Sequence, residues 1–124
     1  MILLTVDEII EIHHTLTFKT GGSNGLRDRG LLESAVYSAV SGFGDEEAYP
    51  TIEEKSARLM YALTNNHPFV DGNKRIGALV MLVTLKLNGV KMIYLQTELI
   101  ELSLDVASGA KVYEDILEFI NSHK

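Results

Sequence analysis

Apolar positions return every third or fourth residue along most of this chain, and alternation is confined to one short stretch. Thr5-Val6-Asp7-Glu8 has the form of a capping box, and Ile9, Ile10, His13 and Leu16 follow at helical spacing. A helix is expected from about 6 to 18. The segment KTGGSNGLRDRG is too polar and too rich in glycine to continue it and reads as a loop. Asp28 can cap a second helix, whose Leu31, Leu32, Ala35, Val36, Ala39 and Val40 form rows four residues apart until Gly42. GFGDEEAYP reads as a second irregular stretch. Thr51-Ile52-Glu53-Glu54 repeats the capping box. Its helix, with Leu59, Met60 and Leu63, stops near Asn65-Asn66, because the residue before Pro68 avoids helical backbone.

From about 73 to 87 apolar residues point in nearly every direction, so this helix is expected to be surrounded by others until Asn88-Gly89 ends it. VKMIYL alternates weakly and predicts a short extended piece. Thr97 to Ser108 and Lys111 to Asn121 predict two further amphipathic helices, the last with Val112, Ile116, Phe119 and Ile120 inward. The expected fold is all-α: a single bundle of about six helices around a central buried helix, one domain over 1–124.

Composition narrows the class. With 46% hydrophobic and 23% charged residues the chain is an ordinary globule, and without cysteine it has neither a disulfide framework nor a thiolate metal site. A net charge of −6 with no basic stripe argues against direct nucleic-acid binding. With no basic leader and no spanning apolar run there is no membrane segment to expect, and cytoplasmic residence is the default.

The chemistry gathers where the most apolar helix begins, in HPFVDGNKR. A helix start offers unpaired N–H groups and the positive end of the macrodipole, a ready anion site. Gly72 lets backbone approach a ligand closely, Asn73 can cap or donate, and Lys74 and Arg75 add positive charge. Cations in a first turn oppose the macrodipole, so their presence points to a phosphate between them and the helix end. Asp71 is a hard oxygen ligand suited to Mg²⁺ shared with substrate phosphates. His67 is suited to accepting a hydroxyl proton near neutrality. Phe69 is expected to point into the core and fix the loop. GNKRIGAL has two glycines at P-loop spacing but Ala78-Leu79 where Lys and Ser/Thr belong, and His13-His14 lacks metal-site spacing. His13 is expected at the core edge and His14 in solvent. Arg27, Arg29 and Arg58 read as surface charges.

Taken together, His67-Pro68-Phe69-Val70-Asp71-Gly72-Asn73-Lys74-Arg75 resembles the signature of the Fic/Doc family: His, any residue or Pro, Phe, any residue, Asp/Glu/Asn, Gly/Ala, Asn, Gly or Lys, then Arg. The length, GGSNGLRDRGLLESAV upstream and KLNGV downstream are similar to the compact Doc branch. The resemblance implies an all-α bundle in which His67 is the general base, Asp71 holds Mg²⁺ on the phosphates of ATP, Asn73 and Arg75 bind those phosphates, and Phe69 anchors the loop. AMP-transferring members have Gly where this chain has Lys74, and a second Arg where it has Ala78. Both differences resemble the Doc pattern, which implies transfer of the γ-phosphate to a hydroxyl, the implied target being elongation factor Tu. No self-inhibitory motif is completed, since Thr97 and Glu101 are followed by Leu102, so an antitoxin chain is the expected inhibitor. GFGDEEAYP, by its place between the second and third helices, is the candidate flap that would hold a target segment. The competing readings are AMP or other nucleotidyl transfer on the same fold, a non-enzymatic Fic-like binding module, and a nucleic-acid-binding helical domain.

Overall fold

Side-chain caps set where the first three helices begin. Thr5 Oγ1 accepts from Glu8 N (3.1 Å) and Glu8 Oε1 from Thr5 N (2.9 Å), opening α1, Val6–Thr20. This helix outruns its predicted end by two residues because left-handed Gly21 closes it, donating its N–H to Thr17 O. Asp28 Oδ1 accepts from Leu31 N (3.0 Å) and opens α2, Arg29–Val40. Thr51 and Glu54 cap α3, Ile52–Asn66, reciprocally. Then follow α4, Asn73–Leu87, α5, Gln96–Ser108, and α6, Tyr113–His123. The computed structural model describes residues 1–22 and 25–124. Ser23 and Asn24, part of the loop expected after α1, lie outside the described residues.

The architecture is all-α, as the periodicity predicts. Its regular β structure among the described residues is one hairpin of two-residue strands, β1 (Gly42–Phe43) and β2 (Glu46–Glu47), with Gly42 opposite Glu47. Strands this short leave no alternation to read, so GFGDEEAYP looked irregular. VKMIYL forms no strand. Its alternation is nonetheless real: Val90, Met92 and Tyr94 pack on the core while Lys91, Ile93 and Leu95 face out, and Ile93 N donates to His123 O (2.7 Å).

Helices α2 and α3 run antiparallel, since Asn66 Nδ2 bonds Leu31 O (3.1 Å) at one end and Arg58 Nε bonds Ser38 Oγ (3.1 Å) toward the other. Burial centres on α3 and α4 together. Helix α3 touches α2, α4, α5 and α6, while α4 touches α1, α3 and α5. On one side of this pair lie Ile9, Leu32, Leu63, Phe69 and Ile76; on the other lie Met60, Met81, Leu102, Val106 and Ile120. Gly77 permits the close approach, because a Cβ there would stand 2.7 Å from Thr64 Oγ1 and 3.1 Å from Met60 O.

The antiparallel pair also decides where the hairpin lies. Buried Lys55, in the first turns of α3, holds its base through Glu47 Oε1 (3.1 Å) and Tyr49 O. His67 caps the opposite end of that helix, roughly 18 Å away at about 1.5 Å per residue. The flap expected in GFGDEEAYP is therefore corrected: chain order put it beside the site, and the antiparallel turn carries it to the far end.

Candidate active site

Two helix ends meet at the predicted cluster, the C-terminus of α3 and the N-terminus of α4, joined by Pro68–Gly72. His67 caps α3 at φ 49° and ψ 54°, the one non-glycine residue with positive φ among those described. An L-residue with a Cβ reaches that region at a cost, so the surroundings must hold it there. Its side chain is exposed. Gly72, at φ 78°, caps α4 without any side-chain cap bond, and the first intrahelical bond is Ile76 N to Gly72 O (2.9 Å). The N–H groups of the first turn precede that bond, which leaves this end suited to an anion.

Asn73 and Phe69 close the loop on itself. Phe69 N donates to Asn73 Oδ1 and Asn73 Nδ2 donates to Phe69 O, both at 3.0 Å, and Asn73 is only 7% exposed. This pairing orients the amide so that its NH2 group also lies 3.3 Å from His67 Nδ1. At that length the contact directs the ring more than it holds a proton. The Asn73 side chain is thus turned inward, onto the loop and the His67 ring. Phe69 is 1% exposed, with the His13 ring stacked on it at 3.7 Å between centroids and 11° between planes.

His13 is one residue whose part sequence reasoning missed. It is buried rather than at the core edge, and its Nε2–H donates to Asp71 O (2.7 Å) from α1, 58 positions away. Burial pushes its pKa below the ordinary value, and the bond to the Asp71 carbonyl opposes this in part. Adjacent His14 is exposed, as expected.

Asp71, Lys74 and Arg75 form the charged rim. Asp71 Oδ1 accepts from Gly72 N (2.7 Å), and Oδ2 lies 3.8 Å from Arg75 Nη2; both side chains of this pair are about half exposed. Arg75 Nη1 donates to Thr20 Oγ1 at the end of α1. Such an exposed pair is weak and opens readily to a phosphate. No group of three or more His, Asp or Glu converges among the described residues, so a cation here would take one carboxylate from Asp71 and its other ligands from phosphate and water, the habit of Mg²⁺. Exposed Lys74 and Arg75 border an apolar groove of about 370 Å³, lined also by Leu16 of α1, Leu79 and Leu82 of α4, and Ile100 and Leu104 of α5.

A profile of the Fic/DOC family matches residues 3–85, which takes in α1 to α3, the loop and nearly all of α4. The chain belongs to the Fic/DOC family. It is 39% identical over 72 residues to the protein named Toxin Doc of Mycolicibacterium smegmatis, an alignment covering 58% of this chain and 55% of that relative. Over 106 residues it is 30% identical to the protein named Protein kinase doc of Escherichia phage P1, covering 86% of this chain and 82% of the relative. Both relatives place this Fic/DOC chain with the Doc-like branch.

A second element borders the Fic/DOC loop. Gly25–Asp28, just before α2, runs antiparallel to it with Leu26 opposite Phe69: Val70 N bonds Gly25 O (2.9 Å), and Arg27 N (2.8 Å) and Asp28 N (2.9 Å) bond Pro68 O. Among the described residues, this connection lies beside the loop, the place expected of the candidate flap GFGDEEAYP. The GLRDRG pattern shows a loop but not its partner, which is set only by the fold.

Proposed function

We propose that this chain is the toxin of a toxin–antitoxin pair and a protein Ser/Thr kinase, moving the γ-phosphate of ATP to a hydroxyl of a translation factor, with elongation factor Tu the expected target. The observation that carries the choice of phosphate is Lys74. It stands exposed in the first turn of α4, beside the uncapped N–H groups, where a glycine would leave that space open. Ala78, one turn on, is small and buried, so no second guanidinium reaches the rim from that position. The phage relative's name, Protein kinase doc, supports the same chemistry.

Each residue then has a physical task. Mg²⁺ supplies charge neutralisation on the phosphates, with Asp71 its protein ligand. Gly72 leaves room for a phosphate oxygen at the helix start, the N–H groups there offer fixed dipoles, and Lys74 and Arg75 add full charges, Arg75 after leaving Thr20 and Asp71. His67 accepts the target hydroxyl's proton as the hydroxyl oxygen bonds to the γ-phosphorus and the bond from that phosphorus to the ADP oxygen breaks. Asn73 serves through the loop, aiming the ring and fixing Phe69. The apolar groove beside Lys74 is the proposed seat of an antitoxin segment that folds as a helix on binding.

The test is label transfer from γ-labelled and, in parallel, α-labelled ATP with Mg²⁺ into a bacterial extract supplemented with elongation factor Tu. Label from the γ position alone, lost by at least about a hundredfold in His67→Ala, is the expected result. Transfer from the α position would replace kinase by nucleotidyl transfer. No transfer from either, by folded protein free of antitoxin, would leave a binding module.

A further inference from the structure

We propose that Arg27 is the positioning residue of His67, holding the base's backbone in its left-handed conformation from outside the motif. This rests on the reading of His67 as the base. Helix α3 ends on carbonyls with no intrahelical partner, and its last turn contains no basic residue to meet them. Arg27 supplies the missing cation from the connection before α2. Its Nε donates to His67 O at 2.7 Å and its Nη2 to Asn66 O at 3.2 Å, so one guanidinium grips two consecutive carbonyls across the turn where the chain leaves the helix.

The grip falls on the residue whose φ of 49° must be held by its surroundings. A planar guanidinium reaching two acceptors fixes a peptide's direction as well as its position, which an ammonium on one carbonyl does not. Arg27 cannot swing freely, because its own N–H is bonded to Pro68 O (2.8 Å) and the neighbouring Leu26 is bridged to Phe69. The ring of His67 is directed from the other side by Asn73 Nδ2. Arg27 sets the backbone and Asn73 sets the ring. Arg29, two residues on, is the built-in control: it is exposed and pairs with Asp7 (3.2 Å) and Glu33 (3.4 Å), away from the loop.

The experiment compares Arg27→Ala, Arg27→Lys and Arg29→Ala by circular dichroism, by label-transfer kinetics and by the ¹³Cα shift of His67, which reports left-handed backbone. Arg27→Ala is expected to lower kcat roughly ten- to a hundredfold, with the KM for ATP nearly unchanged, because the base is displaced while the phosphate rim is left intact. Arg27→Lys should fall between, guanidinium added at low millimolar concentration should restore part of the Arg27→Ala rate, and the His67 shift should move toward ordinary helical or extended values. Arg29→Ala should do none of these. An unchanged kcat in folded Arg27→Ala, an unmoved His67 shift, or an equal loss in Arg29→Ala would overturn the assignment. Should the unmodified protein itself transfer no phosphate, the kinase reading fails, and the His67 shift still decides whether Arg27 holds that backbone. If Arg27→Ala does not fold, Arg27→Lys, which keeps the charge, carries the same decision.

Discussion

His13 shows how much of the site is held by a residue outside the motif. Its ring covers Phe69 and its Nε2–H ties down Asp71 O, so α1 fixes both the anchor of the loop and the carboxylate-bearing turn. Burial favours the neutral ring in the fold, while the unfolded chain titrates near the ordinary value of about 6.5. Between the lowered folded pKa and 6.5 the unfolded state binds more protons, so this contribution is complete above 6.5 and is lost as pH falls through the folded value. His123 acts with the opposite sign. Its hydrogen bond with Glu98 (3.0 Å) raises its pKa, giving stability that is complete below 6.5 and lost as pH rises through the raised value. The two effects occupy adjacent windows and can be separated. His13→Gln is expected to lower stability by about 1–3 kcal/mol, through the lost stacking and an imperfectly replaced hydrogen bond, and to flatten urea midpoints below pH 6.5 while leaving the slope above it. A slope below pH 6.5 as steep as that of the unchanged protein would mean that His13 is not the titrating group. The motif itself was legible because nine adjacent residues carry it; His13 and Arg27 were not, because their partners lie 58 and 40 positions away and only folding brings them together.

Elements were legible where local chemistry decides them and obscure where tertiary pairing does. Both Thr–Glu capping boxes and the Asp28 cap lie where the side-chain pattern put them, since a cap needs only neighbours three residues apart. The last two helices start one residue before and two residues after their expected positions. Their starts carry no Ser, Thr or Asp cap; Glu98 and Asp115 reach back instead to the N–H groups of Leu95 and Val112 (both 2.8 Å). The α3–α4 pair depends on something periodicity does not show, the missing side chain at Gly77. Gly77→Val would drive methyl groups into Thr64 Oγ1 and the Met60 carbonyl, where the helix cannot retreat without moving the loop it shares with His67. The expected cost is roughly 1–3 kcal/mol in urea unfolding, with loss of label transfer even under conditions where the variant remains folded. Gly77→Val with unchanged stability would show that the two helices separate more easily than their packing implies.

At the scale of the molecule, α1 and α5 both rest on α4, and the floor between them is the apolar groove that ends at Lys74 and Arg75. This explains why the α4 sequence is apolar nearly all round although part of it is not covered: Leu79 and Leu82 remain half-buried, and Ile100 and Leu104 on the opposite wall are about half exposed. A partner helix laid in this groove would cover them and end beside the two cations. Were the proposed antitoxin segment to engage Lys74 and Arg75, it would compete there with the proposed nucleotide, and linkage would make their effects reciprocal: whatever factor the antitoxin takes from ATP affinity, ATP would take from antitoxin affinity. Leu104→Glu would set a carboxylate against the apolar face of the incoming helix, and a tenfold loss of affinity or more, about 1.4 kcal/mol, is expected in titrations with the product of the neighbouring open reading frame. Saturating Mg-ATP should weaken that partner's binding to the unchanged protein as well. Full affinity in Leu104→Glu would place the antitoxin elsewhere, whereas reduced affinity without competition from Mg-ATP would keep it in the groove but away from the cations, so that inhibition would have to act on the protein target rather than on the nucleotide.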